Sequence, residues 1–175
     1  MRSAPLVLAC ILASLLVSLA LTSVTVAQPA AREGYFVEFR ARGGGVLGHT
    51  YIVYGRADAS GRIIQSEHAG LYADESFGHS PVLALALVRG HVTQKREDPR
   101  VPTLAVFRRK LNAAEYAHLQ LTVARLKASQ HSWHMWLYNC NDFAAQVARE
   151  MGMVSPLPWM LPTTYVHSLR AINEP

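Results

Sequence analysis

Alternation of apolar and polar positions predicts a series of β-strands in the first two thirds of the chain. β-branched and aromatic residues are concentrated in these runs, and turn-forming residues separate them. RADASG between the second and third runs predicts a β-hairpin, and the stretches 69–81 and 90–102 predict loops. The predicted strands are YFVEFRA (35–41), GHTYIVYG (48–55), RIIQSEH (62–68), VLALALV (82–88) and TLAVFRRKL (103–111).

After residue 111 the apolar spacing changes to the helical period of about 3.6 residues. Asn112, with Glu115 three residues later, predicts a capping box at the start of one helix. Asn139 is the predicted cap of a second helix, and Gly152 is predicted to end it. Three prolines then precede a short predicted helix, TTYVHSLRAI. The apolar stripes of the first two helices are Tyr116, Leu119, Val123 and Leu126, and Phe143, Ala144, Val147, Ala148 and Met151.

Strands followed by helices are typical of an α+β fold with a mostly antiparallel sheet. The start of the chain differs from the rest, because Arg2 precedes an apolar run from Leu6 to Leu21 and small residues follow at 25–27. This pattern is typical of a secretory signal peptide, although the apolar run also approaches the length of a membrane anchor. We predict a signal peptide at 1–27, a short tether at 28–34 and a single domain at 35–175.

The predicted cleavage has consequences for location and for the cysteines. We expect an exported protein, periplasmic or secreted, with no stable membrane span after cleavage. Cleavage would remove Cys10 and leave Cys140 as the one cysteine of the mature chain. An unpaired thiol in an exported protein indicates a reactive group or pairing with another molecule, and a buried inert cysteine is the alternative.

The setting of Cys140 favours a reactive group. If Asn139 is the cap, Cys140 lies in the first turn of a helix, where unpaired backbone N–H groups and the helix dipole favour a thiolate. A thiolate can attack a carbonyl carbon, and the same N–H groups can bind the resulting oxyanion. The sequence therefore predicts acyl-transfer chemistry at this position.

A cysteine nucleophile needs a histidine that takes and returns a proton. Of the eight histidines, His49 is the best candidate, because it follows Gly48 at the start of a predicted core strand. His118 lies in a predicted helix, His131 and His134 lie in a loop, and His91 and His167 have no supporting context. His49, His68 and His79 also lack the spacing of a metal site, so we predict no metal and no cofactor.

The order of these motifs resembles the circularly permuted papain-like thiol hydrolases, in which a histidine strand precedes a cysteine helix. These are relatives of the NlpC-type cell-wall amidases, and they include the lecithin:retinol acyltransferase-like enzymes and the PPPDE-type deubiquitinating and desumoylating peptidases. Their Asn-Cys-x-x-Phe context corresponds here to Asn139, Cys140 and Phe143, and the resemblance covers about 35–68 and 132–152. It implies a papain-like fold, with an antiparallel sheet packed against the Cys-bearing helix and a second helix.

The resemblance also implies roles for individual residues. Cys140 takes the position of the nucleophile and His49 that of the base. The family usually has a third polar residue on the next strand, which orients the imidazole. Gln65, Glu67 and His68 all qualify, and we favour Gln65 because RIIQ resembles the family's strand that ends in a polar residue.

Export and resemblance together predict a hydrolase or acyltransferase that acts on an amide or ester bond of a peptide or lipid-like substrate at the cell envelope. The alternative is a non-catalytic binding protein that keeps the same scaffold. The formal net charge of +5 comes from scattered basic residues without interleaved aromatic residues. We therefore predict no nucleic-acid partner. The sequence leaves the oligomeric state open.

Overall fold

The computed structural model describes residues 34–44, 47–74 and 86–174. The predicted signal peptide, with Cys10, and residues 28–33 of the predicted tether lie outside the described residues, as does His79. Gly34, the last residue assigned to the tether, instead begins the first strand.

The described residues form an α+β structure with six strands and three helices. All strand pairs are antiparallel, and the sheet has the order β5-β1-β2-β3-β4-β6. Among the described residues, no helix is long and apolar enough to span a membrane. The strands are β1 (Gly34–Arg42), β2 (His49–Ala57), β3 (Ile63–Ala73), β4 (Val88–Thr93), β5 (Thr103–Leu111) and β6 (His131–Trp133), and the helices are α1 (Ala113–Ala128), α2 (Cys140–Glu150) and α3 (Pro162–Asn173).

Side-chain alternation along the strands gives the sheet two different faces. On the helix face, buried residues such as Phe39 and Ile52 form the main core with residues of the three helices. The second face carries a smaller apolar cluster that includes Phe36, Tyr51 and Val53. Because consecutive residues point to opposite faces, the position of a strand residue decides which of the two environments it meets.

The helix boundaries follow from side-chain caps. The predicted capping box at the start of α1 is confirmed, since the Asn112 side chain accepts from the Glu115 N–H and the Glu115 carboxylate accepts from the Asn112 N–H, both at 2.9 Å. Helix α2 ends at Glu150, and Gly152 follows with a φ of 72°. Such a residue after a helix is typically glycine, because the left-handed conformation disfavours other side chains.

The pairing of β3 and β4 differs from the sequence prediction. Strand β3 continues to Ala73, inside the stretch 69–81 that was predicted as a loop, and β4 lies partly inside the predicted loop 90–102. The register pairs Gly70 with Thr93 and Ala73 with Gly90. The two segments are therefore strands because they pair with each other. Pairing between segments about 20 residues apart is not revealed by the propensity of either segment alone.

The predicted strand VLALALV is only partly described. Residues 82–85 lie outside the described residues, and residues 86 and 87 precede β4, with the Leu87 side chain 67% exposed. The expected buried strand therefore does not include Leu87, and Val88 begins a strand that runs on into the predicted loop. Strand β6, which contains His131, also lies in a stretch predicted as a loop, and it is formed by pairing with β4.

Candidate functional site

Cys140 is the first residue of α2, and the residues around it close the helix end. The Asn139 side chain accepts a hydrogen bond from the Asn141 N–H at 2.8 Å. The Asp142 carboxylate accepts one from the Asn139 N–H at 2.9 Å, so this helix also has a capping box. The sulfur thus belongs to a helix N-terminus, whose dipole favours negative charge.

Asn141, on the other side of the cysteine, ties the first turn of α2 to two neighbours. The Thr50 hydroxyl donates to Asn141 Oδ1 at 2.6 Å, and Asn141 Nδ2 donates to the carbonyl oxygens of Pro158 and Met160 at 2.8 and 2.7 Å. Asn141 is buried, which strengthens these bonds and makes their loss costly. The order Asn-Cys-Asn therefore has a physical reason: the first asparagine caps the helix and the second fixes it to the sheet.

The Cys140 thiol lies close to strand β2. Burial raises the pKa of this thiol, and the backbone N–H groups of Thr50, Asn141 and Cys140 itself act in the opposite direction by hydrogen bonding to the sulfur. The residue as a whole is only partly buried. The structure thus brings Cys140 to Thr50, which is the residue next to His49 on β2.

The imidazole of His49 has a different environment. Its ring centroid lies 4.4 Å from that of Tyr72 and 6.3 Å from that of Tyr51, on the second face of the sheet. Thr50 points to the helix face, and consecutive strand residues point to opposite faces. Nε2 of His49 is buried without a hydrogen-bond partner, so no hydrogen bond joins this atom to the sulfur.

The charge states of the two groups follow from burial. Burial is the largest cause that lowers the pKa of His49, and together with the positive charges of Arg42 and Lys95 it brings this pKa to about 3. At neutral pH the imidazole is therefore uncharged. Because the pKa of the Cys140 thiol is raised, this conformation favours a neutral thiol and a neutral imidazole over an ion pair.

A buried polar cluster lies beside His49 on the second face. The carboxylate of Asp98 accepts from Arg42 Nε at 2.8 Å and from the Tyr72 hydroxyl, while the Asp98 backbone carbonyl accepts from the Tyr51 hydroxyl at 3.0 Å. Asp98 is fully buried, so its charge depends on these donors. We name Arg42, Tyr51, Tyr72 and Asp98 the Asp98 cluster.

The Asp98 cluster was not predicted from the sequence. Asp98 lies in a predicted loop, and Tyr72 lies in a stretch that was assigned to another loop. One signal was present: β2 and β3 pair with Ile52 opposite Ala69, and the same register continued along the strands places Tyr72 opposite His49. Using it would have required the true length of β3, which depends on β4.

The three residues predicted to orient the imidazole lie elsewhere. Gln65 is exposed and pairs with Arg56, seven residues from His49 along β2, or about 23 Å at about 3.3 Å per residue. Gln65 therefore cannot orient the imidazole in this fold. Glu67 accepts a hydrogen bond from Tyr54 on the helix face, and His68 Nε2 bonds to the Lys95 carbonyl at 2.9 Å.

The other described histidines near Cys140 in sequence have local partners. His131 Nε2 bonds to the Leu126 carbonyl at 2.7 Å, and His134 Nδ1 accepts from the Trp136 N–H at 3.1 Å. Among the residues that the structure describes, no group of three or more His, Cys, Asp or Glu side chains could hold a metal ion.

Two apolar segments flank the first turn of α2. The Asn139 side chain donates to the Met135 carbonyl at 2.8 Å and so holds the turn before the helix, while Asn141 holds the segment after it. The two segments, residues 135–138 and 154–161, contain no Asp, Glu, Lys or Arg. Exposed apolar side chains concentrated in this way usually mark a binding surface. We name five of them, each more than half exposed, the apolar rim: Trp136, Leu137, Leu157, Trp159 and Leu161.

No protein-family model, no curated protein and no solved structure matches this chain. The likeness to the permuted papain-like thiol hydrolases thus depends on the two sequence motifs that surround His49 and Cys140.

Proposed function

We propose that this protein is an exported thiol hydrolase or acyltransferase that attacks an amide or ester carbonyl with Cys140. The observation that carries the proposal is the position of the sulfur at the first turn of α2, where the backbone N–H groups of Thr50, Asn141 and Cys140 act against the rise in thiol pKa that burial causes. These N–H groups reduce the cost of forming a buried thiolate, and they are candidate donors for an oxyanion. The proposal includes the permuted papain-like arrangement, with the histidine strand before the cysteine helix.

The reaction that we propose proceeds through an acyl-enzyme. His49 takes the thiol proton of Cys140, and the sulfur forms a bond to the carbonyl carbon, whose oxygen becomes an anion bound by backbone N–H groups. The C–N or C–O bond then breaks, and the leaving amine or alcohol receives the proton from His49. Water or an amine attacks the thioester in the second half, which restores the thiol.

The imidazole must turn for this reaction, because in this structure it lies against Tyr72. The local topology supports such a movement. The described β2–β3 pairs end at Ile52 and Ala69, and beyond them β3 pairs with β4 instead. On the side that faces β3, the described β2–β3 pairing therefore does not reach His49 and Thr50.

The surroundings of Cys140 support a substrate with an apolar part. The apolar rim lies on both segments that are tied to Asn139 and Asn141, and it carries two tryptophans. Cell-envelope peptides and lipid-like amides or esters both offer a carbonyl next to an apolar group. We propose these as the substrate class, at a periplasmic or secreted location.

The first test measures the reactivity of the thiol. The exported protein and its His49→Ala variant are alkylated with N-ethylmaleimide at pH 7, with Cys140→Ser as the blank and the exposed His167→Ala as the control. We expect His49→Ala to slow the alkylation about tenfold, below the usual range for general-base effects, because alkylation depends only on deprotonation of the thiol and involves no leaving group that must be protonated. Equal rates in His49→Ala and the unaltered protein would refute an activated pair.

A second candidate function is a binding protein on the same scaffold. The observation that favours it is that His49 packs on the second face with Nε2 unpartnered. Mass spectrometry after incubation with p-nitrophenyl acetate separates the candidates. An acyl adduct on Cys140 that disappears with time supports the enzyme, whereas no adduct supports the binding protein.

A further inference from the structure

His49 has two features that the proposed reaction does not explain. Its Nε2 is buried without a hydrogen-bond partner, which destabilises the fold and calls for an explanation. The atom also sits over Gly70, because a Cβ at that position would lie 2.7 Å from Nε2 and 3.0 Å from the Tyr72 hydroxyl oxygen. On the second face, the imidazole therefore packs closely against Gly70 and Tyr72.

The Tyr72 ring packs directly against the imidazole of His49. It is tilted by 30° to the imidazole at a centroid distance of 4.4 Å, and Nζ of Lys95 lies 4.8 Å from the Tyr72 centroid. The Tyr72 hydroxyl donates to the carboxylate of Asp98, which also accepts from Arg42. Tyr72 is itself buried, so its ring is held by packing and by a charge-assisted hydrogen bond.

We infer that Tyr72, anchored by Asp98, is the positioning residue of His49: it sets the orientation of the imidazole and its accessibility to protons. This inference rests on the proposed function: Tyr72 holds the imidazole in the position from which it must turn toward Cys140, whereas Gln65 was predicted to orient it for the reaction. Tyr72 acts through His49 and takes no direct part in the chemistry. The titratable and charged groups that face His49 come from β1, β2, β3 and the segment 94–102: Arg42, Tyr51, Tyr72, Lys95 and Asp98.

The test follows His49 itself and the thiol in parallel. Histidine ¹⁵N NMR, with His49→Gln for assignment, gives the titration midpoint, and N-ethylmaleimide gives the alkylation rate between pH 4.5 and 8. In the unaltered protein His49 should not titrate in this range. Tyr72→Leu removes the ring that covers the imidazole and so reduces its burial. The titration midpoint of His49 should therefore rise by two pH units or more, toward about 6.5. The plot of alkylation rate against pH should then show a step at the new midpoint of His49.

Two further variants keep the result interpretable. Tyr72→Phe keeps the ring and removes only the bond to Asp98, so its shift should have the same direction and be smaller. Tyr165→Phe, which removes the hydroxyl of another buried tyrosine, bonded to Ser155, is the matched control and should change nothing. If Tyr72→Leu does not fold, Tyr72→Phe decides, and a His49 that is no more protonated at pH 4.5 than in the unaltered protein overturns the inference.

The outcomes separate this inference from the proposed function. If His49→Ala slows alkylation while Tyr72→Leu leaves both the His49 midpoint and the plot of alkylation rate against pH unchanged, the positioning role is overturned and the proposed function stands. If alkylation is the same with and without His49, the proposed function fails, and the role of Tyr72 fails with it. A moved midpoint together with a new step supports the inference.

Discussion

At the scale of single residues, neighbouring positions on a strand have opposite roles. Thr50 faces the helices and bonds to Asn141, whereas His49 faces the Asp98 cluster. In the proposed reaction the two residues have different parts: Thr50 would supply its backbone N–H, and His49 would supply its ring after turning toward Cys140. Sequence alone identifies the histidine but not its face, because the face depends on which side of the sheet the helices cover.

The neutral, buried state of His49 has a consequence for stability. The pKa of His49 is about 3 in the folded protein and about 6.5 when unfolded, so between these values the unfolded chain binds more protons. The free energy of unfolding should therefore fall as the pH drops below about 6.5. The slope from this one residue should approach about 1.4 kcal/mol per pH unit.

Urea unfolding at pH 7.5, 5.5 and 4.5 measures this effect. His49→Gln should lose stability less steeply toward acid than the unaltered protein. The exposed His167→Gln should keep the steep dependence. The same slope in all three proteins would show that His49 does not remain neutral in the fold.

At the scale of elements, helices α1 and α2 begin with the same kind of cap, but the two caps hold different parts of the structure. Helices α1 and α2 both begin with an asparagine cap and an acidic residue that completes the capping box. The cap of α1 supports a packing helix, whereas the cap of α2 also holds the turn around Met135 and the position of Cys140. The sequence reveals both caps, but it does not distinguish what each cap holds.

Replacing the two caps separately tests this difference. Asn112→Ala and Asn139→Ala should each lower the free energy of unfolding by about 1 kcal/mol, the usual cost of a lost cap. Only Asn139→Ala should also change the alkylation rate of Cys140, because it alters the helix end that carries the sulfur. An unchanged rate in a folded Asn139→Ala protein would contradict the role assigned to this helix end.

At the scale of the whole molecule, the buried charges near His49 and the exposed apolar side chains near Cys140 belong to different parts of the fold. The sheet face with the Asp98 cluster holds the charges near His49, whereas the apolar rim lies on the segments next to the thiol. A reagent that approaches the sulfur should therefore meet apolar side chains first, and an apolar group on it should gain from burial.

Maleimides of different chain length measure this gain directly. Cys140 should react at least tenfold faster with N-hexylmaleimide than with N-ethylmaleimide, since each buried CH₂ contributes up to about 0.8 kcal/mol. Trp136→Ser combined with Trp159→Ser should remove most of this preference. Leu121→Ser, which alters an equally exposed apolar residue on α1, should keep it. A preference that survives the double substitution would place the apolar contact elsewhere.

The sequence by itself determined the features that depend on local chemistry. The β2–β3 hairpin, the cap at Asn112 and the α+β class follow from alternation, turn residues and capping pairs, which act over a few residues. The sequence also singled out Cys140, because a cysteine between two asparagines at a predicted helix start has few local explanations.

Only the tertiary structure decided which side chains meet. It extended β3 to Ala73 through pairing with β4, which placed Tyr72 beside His49, and it left Gln65 at the far end of the hairpin. It also buried Asp98 beneath donors from three strands. These arrangements depend on register and on which face of the sheet the helices cover. Both are set by packing between segments far apart in the chain, so no local pattern contains them.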